Sequence, residues 1–251
     1  MNDKSELQDK VVMVTGASSG IGRAISLALA KEGTRLAIVA RNLDKLVTLK
    51  AQIESYGGRA FPLAVDLKDE SQILFAFEAI GREWGGVDVL INSAGLGHDA
   101  PLSSGRTEHF REMLEVNVLA LSVITREAVK NMQANKTAGQ IIHISSMSAY
   151  RVQTGAGMYA ATKHAVRAMT EGLRRELRAE GSSIRVTAVS PADTETEFME
   201  RMLGRSEAGK RAPEYRQMDP EDIAQAVLYI LKTPPHVEIH DILMRPINQP
   251  D

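Results

Sequence analysis

An α/β protein with one doubly wound parallel sheet of about seven strands, covered by helices on both faces, is the fold class this sequence predicts. Short runs rich in Val and Ile alternate with longer amphipathic runs along the whole chain. The short runs show little polar alternation, which is how strands buried on both faces of a parallel sheet read. The glycine-rich string TGASSGIG directly follows the first short run, and a strand–glycine–helix opening marks a Rossmann-type sheet.

Each element follows from that pattern in order. VVMVT makes residues 11–15 the first strand, and the run beginning GIGRAISLALA makes 20–32 the first helix. LAIVA predicts a strand at 36–40, and the mixed apolar and charged stretch after it a helix at 43–56. AFPLA gives a strand at 60–64, followed by a helix over 70–83. VLIN gives a strand at 89–92, and the long amphipathic stretch 107–134 reads as one helix. IIHIS is the strand 141–145, and 157–179 the helix after it. IRVTAVS is the strand 184–190. A helix at 220–233 and the strand DILM at 241–244 close the pattern. No linker, repeat or low-complexity stretch interrupts it, so residues 1–251 are expected to form one domain. The polar segment 193–217, with two glycines and many charges, reads as a lid or mobile loop carrying short helices; a disordered surface insertion is the alternative.

Composition narrows the function. The chain has 251 residues, 43% hydrophobic and 25% charged, with a net charge of −2 and no dense basic run. A nucleic-acid surface is not expected from that balance. With no cysteine, thiol nucleophiles, zinc thiolates and disulfides drop out. The six histidines have no metal-ligand spacing. MNDKSELQDK is too polar for a signal peptide's apolar region, and no apolar run reaches membrane-spanning length. The expectation is a cytoplasmic enzyme with a small-molecule substrate, no nucleic acid and no membrane.

Gly16, Gly20 and Gly22 fall between a strand and the opening of a helix. Free N–H groups and the positive end of the helix dipole suit a diphosphate there, and glycines let the backbone approach it. The spacing is GxxxGxG rather than the commoner GxGxxG. An NAD site usually carries an acid about 20 residues beyond the glycines. Arg41, preceded by Ala40, occupies that place. A guanidinium suits a 2′-phosphate, so the cofactor expected is NADP. Asp66, after the third strand, stands either to accept from the adenine amino group or to cap the next helix.

Tyr159 and Lys163 lie one turn apart in YAATK, on one face of a helix. A free phenol titrates near about 10, and a neighbouring ammonium is expected to lower that value. Ser146, at the preceding strand end, can hydrogen-bond the substrate oxygen. The expected chemistry is hydride transfer with Tyr159 giving or taking the proton.

With these motifs in hand, the chain resembles the short-chain dehydrogenase/reductase superfamily over essentially its whole length. TGASSGIG is similar to its cofactor motif, NSAG at residues 92–95 to its NNAG, and Asn117 in EVNVLAL to its helix asparagine. Ser146, Tyr159 and Lys163 match its serine, tyrosine and lysine. The resemblance implies Asn117, Ser146, Tyr159 and Lys163 as catalytic residues, with Asn117 anchoring a water that leads protons from Lys163 to solvent. It implies a cofactor set of Gly16, Ser18, Ser19, Gly20, Ile21, Gly22, Arg41, Asp66, Asn92, Ala94, Gly95, Tyr159, Lys163, Pro191, Thr194 and Thr196. It also implies a homodimer or homotetramer paired through the helices at 107–134 and 157–179. Two departures stand out: Ser93 replaces the second asparagine, and Ala192 replaces the glycine after Pro191, so that position does not need positive φ. NVLALSVITREA, ISSMSAYRV, MTEGLRRELR and PPHVEIHDILMRP narrow the resemblance to dehydrogenase/reductase member 11 and the insect farnesol dehydrogenases, and the same tail is also similar to that of the NADP-dependent 3-hydroxy acid (serine-type) dehydrogenases. The first two groups act on carbonyls and on secondary or allylic alcohols, steroids included.

Met147, Arg151, Phe198 and Met202 are the candidate substrate contacts. Core filling for the methionines and a solvated loop charge for the arginine are the plainer alternatives. Three functions stay open: an alcohol/carbonyl oxidoreductase using NADP, an NADP-dependent 3-hydroxy acid dehydrogenase with an inward arginine, and a non-catalytic dinucleotide-binding scaffold or sensor. His98 is a further candidate for tuning binding.

Overall fold

The apolar strands pair into a seven-stranded sheet, in the order β3-β2-β1-β4-β5-β6-β7, with every neighbouring pair parallel. The structure, a computed structural model, describes residues 5–203 and 213–250. The strands are β1 Val11–Thr15, β2 Arg35–Ala40, β3 Arg59–Ala64, β4 Val89–Asn92, β5 Gln140–Ile144, β6 Arg185–Pro191 and β7 Asp241–Met244. β1, β4 and β5 are buried along their whole length, as the uninterrupted apolar runs require.

Helices cover both faces. On one, α1 (Gly20–Ala30), α2 (Leu43–Ser55) and α8 (Pro220–Leu231) bury Ile25, Leu29, Leu46, Ile223 and Val227 against Val12, Val14, Ile38 and Ile142. On the other, α3 (Glu70–Trp84), α5 (Leu121–Ala134) and α6 (Gly157–Ala179) bury Ile73, Phe77, Ile124, Ala128 and Leu177 against Met13, Val39, Leu90 and Ile141. Local signals set the helix ends. Asn42 accepts from the Lys45 N–H at 2.9 Å and starts α2. Asp219 and Asp222 form a reciprocal capping box around Pro220. Gly85, at φ 87°, closes α3.

One expected helix is continuous over 107–134 but changes its winding partway. The stretch at 107–134 is α4 (Thr107–Leu114), a π-helical stretch Glu115–Ala120, and then α5. Apolar periodicity does not register a single wide turn, and such turns gather at functional sites. A short helix, α7 (Phe198–Leu203), lies within the expected lid; residues 204–212 of that segment lie outside the described residues. No described helix is long and apolar enough to cross a membrane. β1 and β4 are neighbours, and the chain leaves them toward opposite edges of the sheet. A crevice at the carboxyl ends of the strands is the usual ligand place at such a switch point.

Candidate active site in the switch-point cleft

A cleft of about 960 Å³ opens there, at the large end of the ordinary range for small-molecule sites, about 300–1,000 Å³. The glycine string forms one wall. Gly16 has φ +67°, and a Cβ on it would meet the Ala94 Cα at 2.8 Å. A Cβ on Gly22 would meet the Gly16 carbonyl oxygen at 2.5 Å. Thr15 Oγ1 accepts from the N–H groups of Ser93 and Ala94, each at 3.1 Å, and ties the β4 loop to this turn. Ser19 occupies the N-cap of α1 without capping it by its side chain, and no acid lies in the first turn. The first N–H groups of α1 therefore have no intrahelical or capping partner, which suits a diphosphate.

Of the expected cofactor residues, Gly16, Ser18, Ser19, Gly20, Ile21, Gly22, Arg41, Asp66, Ala94, Gly95, Tyr159, Lys163, Pro191, Thr194 and Thr196 all line the cleft. Asn92 does not. It is buried in β4 and its amide donates to Thr125 Oγ1 of α5 at 3.0 Å, so its side chain braces a helix behind the sheet. The capping alternative for Asp66 also fails: Asp69 caps α3, accepting from Ser71 N at 2.9 Å, while Asp66 Oδ1 accepts from Lys68 N at 3.1 Å. Ala192 is not among the described positive-φ residues, in keeping with the loss of glycine there.

At the other end, Ser146 follows β5 and Tyr159 and Lys163 project from the first turns of α6. Ser146 Oγ accepts from Ser148 N at 3.1 Å and stands beside the Tyr159 hydroxyl. Lys163 is buried, donates to the Ile144 carbonyl at 3.1 Å, and stands 5.7 Å from the Tyr159 ring centroid. The Tyr159 ring borders the cleft, but burial around its hydroxyl pushes the phenol up to about 12, with the Ser146 hydroxyl acting in the opposite sense. The expected lowering of the tyrosine by its lysine is thus corrected: desolvation of the phenolate is the larger effect. Burial also brings Lys163 down to about 8.

Asn117 lies just outside the cleft, buried on the π-helical stretch. Its Oδ1 accepts from Leu96 N at 2.9 Å, and its Nδ2 donates to Leu96 O at 2.8 Å and to Thr162 Oγ1 at 3.1 Å. It clamps the loop after β4 to the helix that carries Tyr159.

All four expected substrate residues, Met147, Arg151, Phe198 and Met202, line the cleft. Phe198 packs on Tyr159 with ring centroids 5.5 Å apart. Gly97 receives α7: a Cβ there would come within 2.9 Å of Phe198 and 3.2 Å of the Met202 sulfur. His98 is engaged elsewhere, bonded to Glu112 at 2.8 Å and stacked on His109. Sequence reasoning missed Lys45, Glu197 and Arg201, and it missed the tail residues Gln249 and Pro250; all border the cleft. Lys45 stands four residues after Arg41, the one signal that marks it.

Comparison with known proteins agrees with this geometry. A family model described as short chain dehydrogenase matches residues 10–205. The chain is 45% identical over 250 residues to Dehydrogenase/reductase SDR family member 11 of Bos taurus, covering 96% of this chain and 98% of that protein. It is 37% identical to the Farnesol dehydrogenase of Aedes aegypti, with 96% and 97% covered. A closed form of serine dehydrogenase complexed with NADP+ superposes with a TM-score of 0.89 at 28% identity, with 96% of each chain covered.

Proposed function

The chain belongs to the short-chain dehydrogenase/reductase family, and from that premise we propose that it is an NADP-dependent enzyme interconverting an apolar alcohol and its ketone or aldehyde, steroid- or isoprenoid-like in size. It is an oxidoreductase acting on CH–OH groups, with a dinucleotide as cofactor. The finer reading rests on one observation: a single cleft holds Ser146, Tyr159 and Lys163 at one end and Arg41, preceded by Ala40 rather than by an acid at the end of β2, at the other.

Bound in this cleft, the nicotinamide would supply or take the hydride at the substrate carbon. The residues of the chain do the rest. In reduction Tyr159 gives its proton to the substrate oxygen while Ser146 holds that oxygen in place. In oxidation the tyrosinate takes the alcohol proton. Burial holds the phenol in its protonated form at neutral pH, which readies it as an acid. The Lys163 ammonium balances the phenolate left after the proton has gone. Phe198 and Met202 exclude water and give the substrate an apolar wall. In the same reading residues 193–217 act as a lid, and the chain forms a homodimer or homotetramer. Leu114 and Leu119, 45% and 61% exposed beside Asn117's stretch, supply an apolar face for that pairing. The non-catalytic reading is not favoured, since all three reacting groups stand together.

The test is an initial-rate screen of apolar ketones, aldehydes and 3-oxo acids with NADPH and NADH, repeated with Ala40→Asp/Arg41→Ile. Turnover of apolar ketones with NADPH, moving toward NADH in the variant, is the expected result. Turnover of 3-oxo acids alone would instead support the 3-hydroxy acid reading, with Arg151 facing the substrate. Preference of the wild type for NADH would overturn the cofactor assignment.

A further inference from the structure

Arg41 is not the sole cation at the far end of the cleft. Lys45 lines the same wall, with Ala40, Asn42 and Asp66. Its ammonium lies 3.5 Å from the carboxylate of Glu197, the residue after Thr196. Glu197 also accepts from Arg201, one turn further along, and Arg201 donates to Ser19 of the glycine string at 3.0 Å. A carboxylate from the segment after β6 thus sits between two cations across the mouth of the cleft.

We propose that Lys45 is a second ligand for the 2′-phosphate of NADP(H), acting with Arg41, and that Glu197 is the carboxylate this phosphate displaces from it. The inference rests on the NADP reading above. A phosphate monoester carries about two negative charges near neutral pH, more than one guanidinium neutralises. An ammonium offers three donors and no acceptor, so it needs an anion. The one it has is held loosely: 3.5 Å exceeds the length of about 2.7–2.9 Å of a charge-assisted hydrogen bond, and both side chains are about half exposed, where ion pairs stabilise little. A dianion is the stronger partner. The exchange leaves no charge stranded, because Glu197 keeps Arg201. NAD(H) has no 2′-phosphate and leaves the Lys45–Glu197 pair in place, so Lys45 acts on the choice between the two dinucleotides.

Fluorescence titration of purified protein with NADPH and with NADH tests this without turnover. The wild type, Lys45→Met, Arg41→Met and Glu197→Gln are compared at one salt concentration. Lys45→Met is expected to weaken NADPH about tenfold, the value of one hydrogen bond to a charged group, and to leave NADH within about twofold. Glu197→Gln is expected to tighten NADPH and leave NADH unchanged. If the wild type shows no preference for NADPH, the cofactor reading fails. If it prefers NADPH and Arg41→Met removes that preference while Lys45→Met leaves the NADPH/NADH ratio unchanged, the cofactor reading stands and this inference is overturned. Equal weakening of both dinucleotides in Lys45→Met, or weaker NADPH binding in Glu197→Gln, overturns it too.

Discussion

The two ends of the cleft are closed by different means. At the glycine end, backbone meets backbone: Gly16 against Ala94 and Gly22 against the Gly16 carbonyl, at distances that admit no methyl group. At the Tyr159 end, side chains meet side chains: Phe198 on Tyr159, and Phe198 and Met202 over Gly97. Backbone contacts have one solution, whereas side-chain contacts can repack. A wall of the first kind stays constant while a wall of the second kind is free to change.

The sharpest break comes at the reacting group itself. Tyr159→Phe is expected to lower kcat by about 10²–10⁴-fold with NADPH affinity near wild type by fluorescence titration. A variant keeping a tenth of the activity would remove Tyr159 from the mechanism. Next is pH. On the proposed mechanism, reduction needs a protonated Tyr159, held up to about 12, and a charged Lys163, held down to about 8. The lower value governs, so the reductive rate should be level below pH 8 and fall above it, approaching about tenfold per unit. A profile flat to pH 10 would mean that the lysine charge is not needed. At the other end, Gly16→Ala puts a side chain at φ +67° and against Ala94. It should cost about 1–3 kcal/mol and lower Tm by about 2–4 °C for each of these, with dinucleotide binding lost as well. An unchanged Tm would show that the glycine turn repacks as readily as the side-chain wall. The smallest effect belongs to the side-chain wall. Phe198→Ala/Met202→Ala should raise KM for apolar ketones about fivefold, the worth of about 40 Å² of apolar contact at ~25 cal/mol/Å², with NADPH binding unchanged. Equal kinetics across a panel of carbonyls would take these two residues out of the substrate site.

The same contrast governs what could be read from the chain before its structure. The central strands were legible because a parallel strand buried on both faces must be continuously apolar, and VVMVT or IIHI leaves little other choice; the partly exposed β3 and β7 followed from their place in the strand–helix alternation. The glycine turn was legible because backbone contact demands glycine by name. The direction of the Asn92 side chain was not legible for the converse reason: in a strand with both faces buried, alternation does not say which side a polar residue takes, and its partner, Thr125, is distant in sequence. The tyrosine's acidity was read from its lysine neighbour, but the burial that outweighs it comes from the whole fold. Lys45, Glu197 and Arg201 went unread because an exposed charge on a helix or in a turn has many ordinary explanations, and only the chain's return after β6 brings Glu197 to Lys45.

The π-helical stretch Glu115–Ala120 makes the chain harder to simplify than it looks. A π turn spends one residue more than an α turn. Deleting one of those six residues would give α4 and α5 a regular hydrogen-bond ladder and a better local helix. It would also rotate everything downstream by about 100° relative to α4. Either Asn117 would swing away from Leu96, or Ile124, Ala128 and Met132 would leave the core they now fill. The extra residue works as a ratchet: once the buried face of α5 has been set to its phase, the shorter and locally more stable helix is closed off as a path of descent.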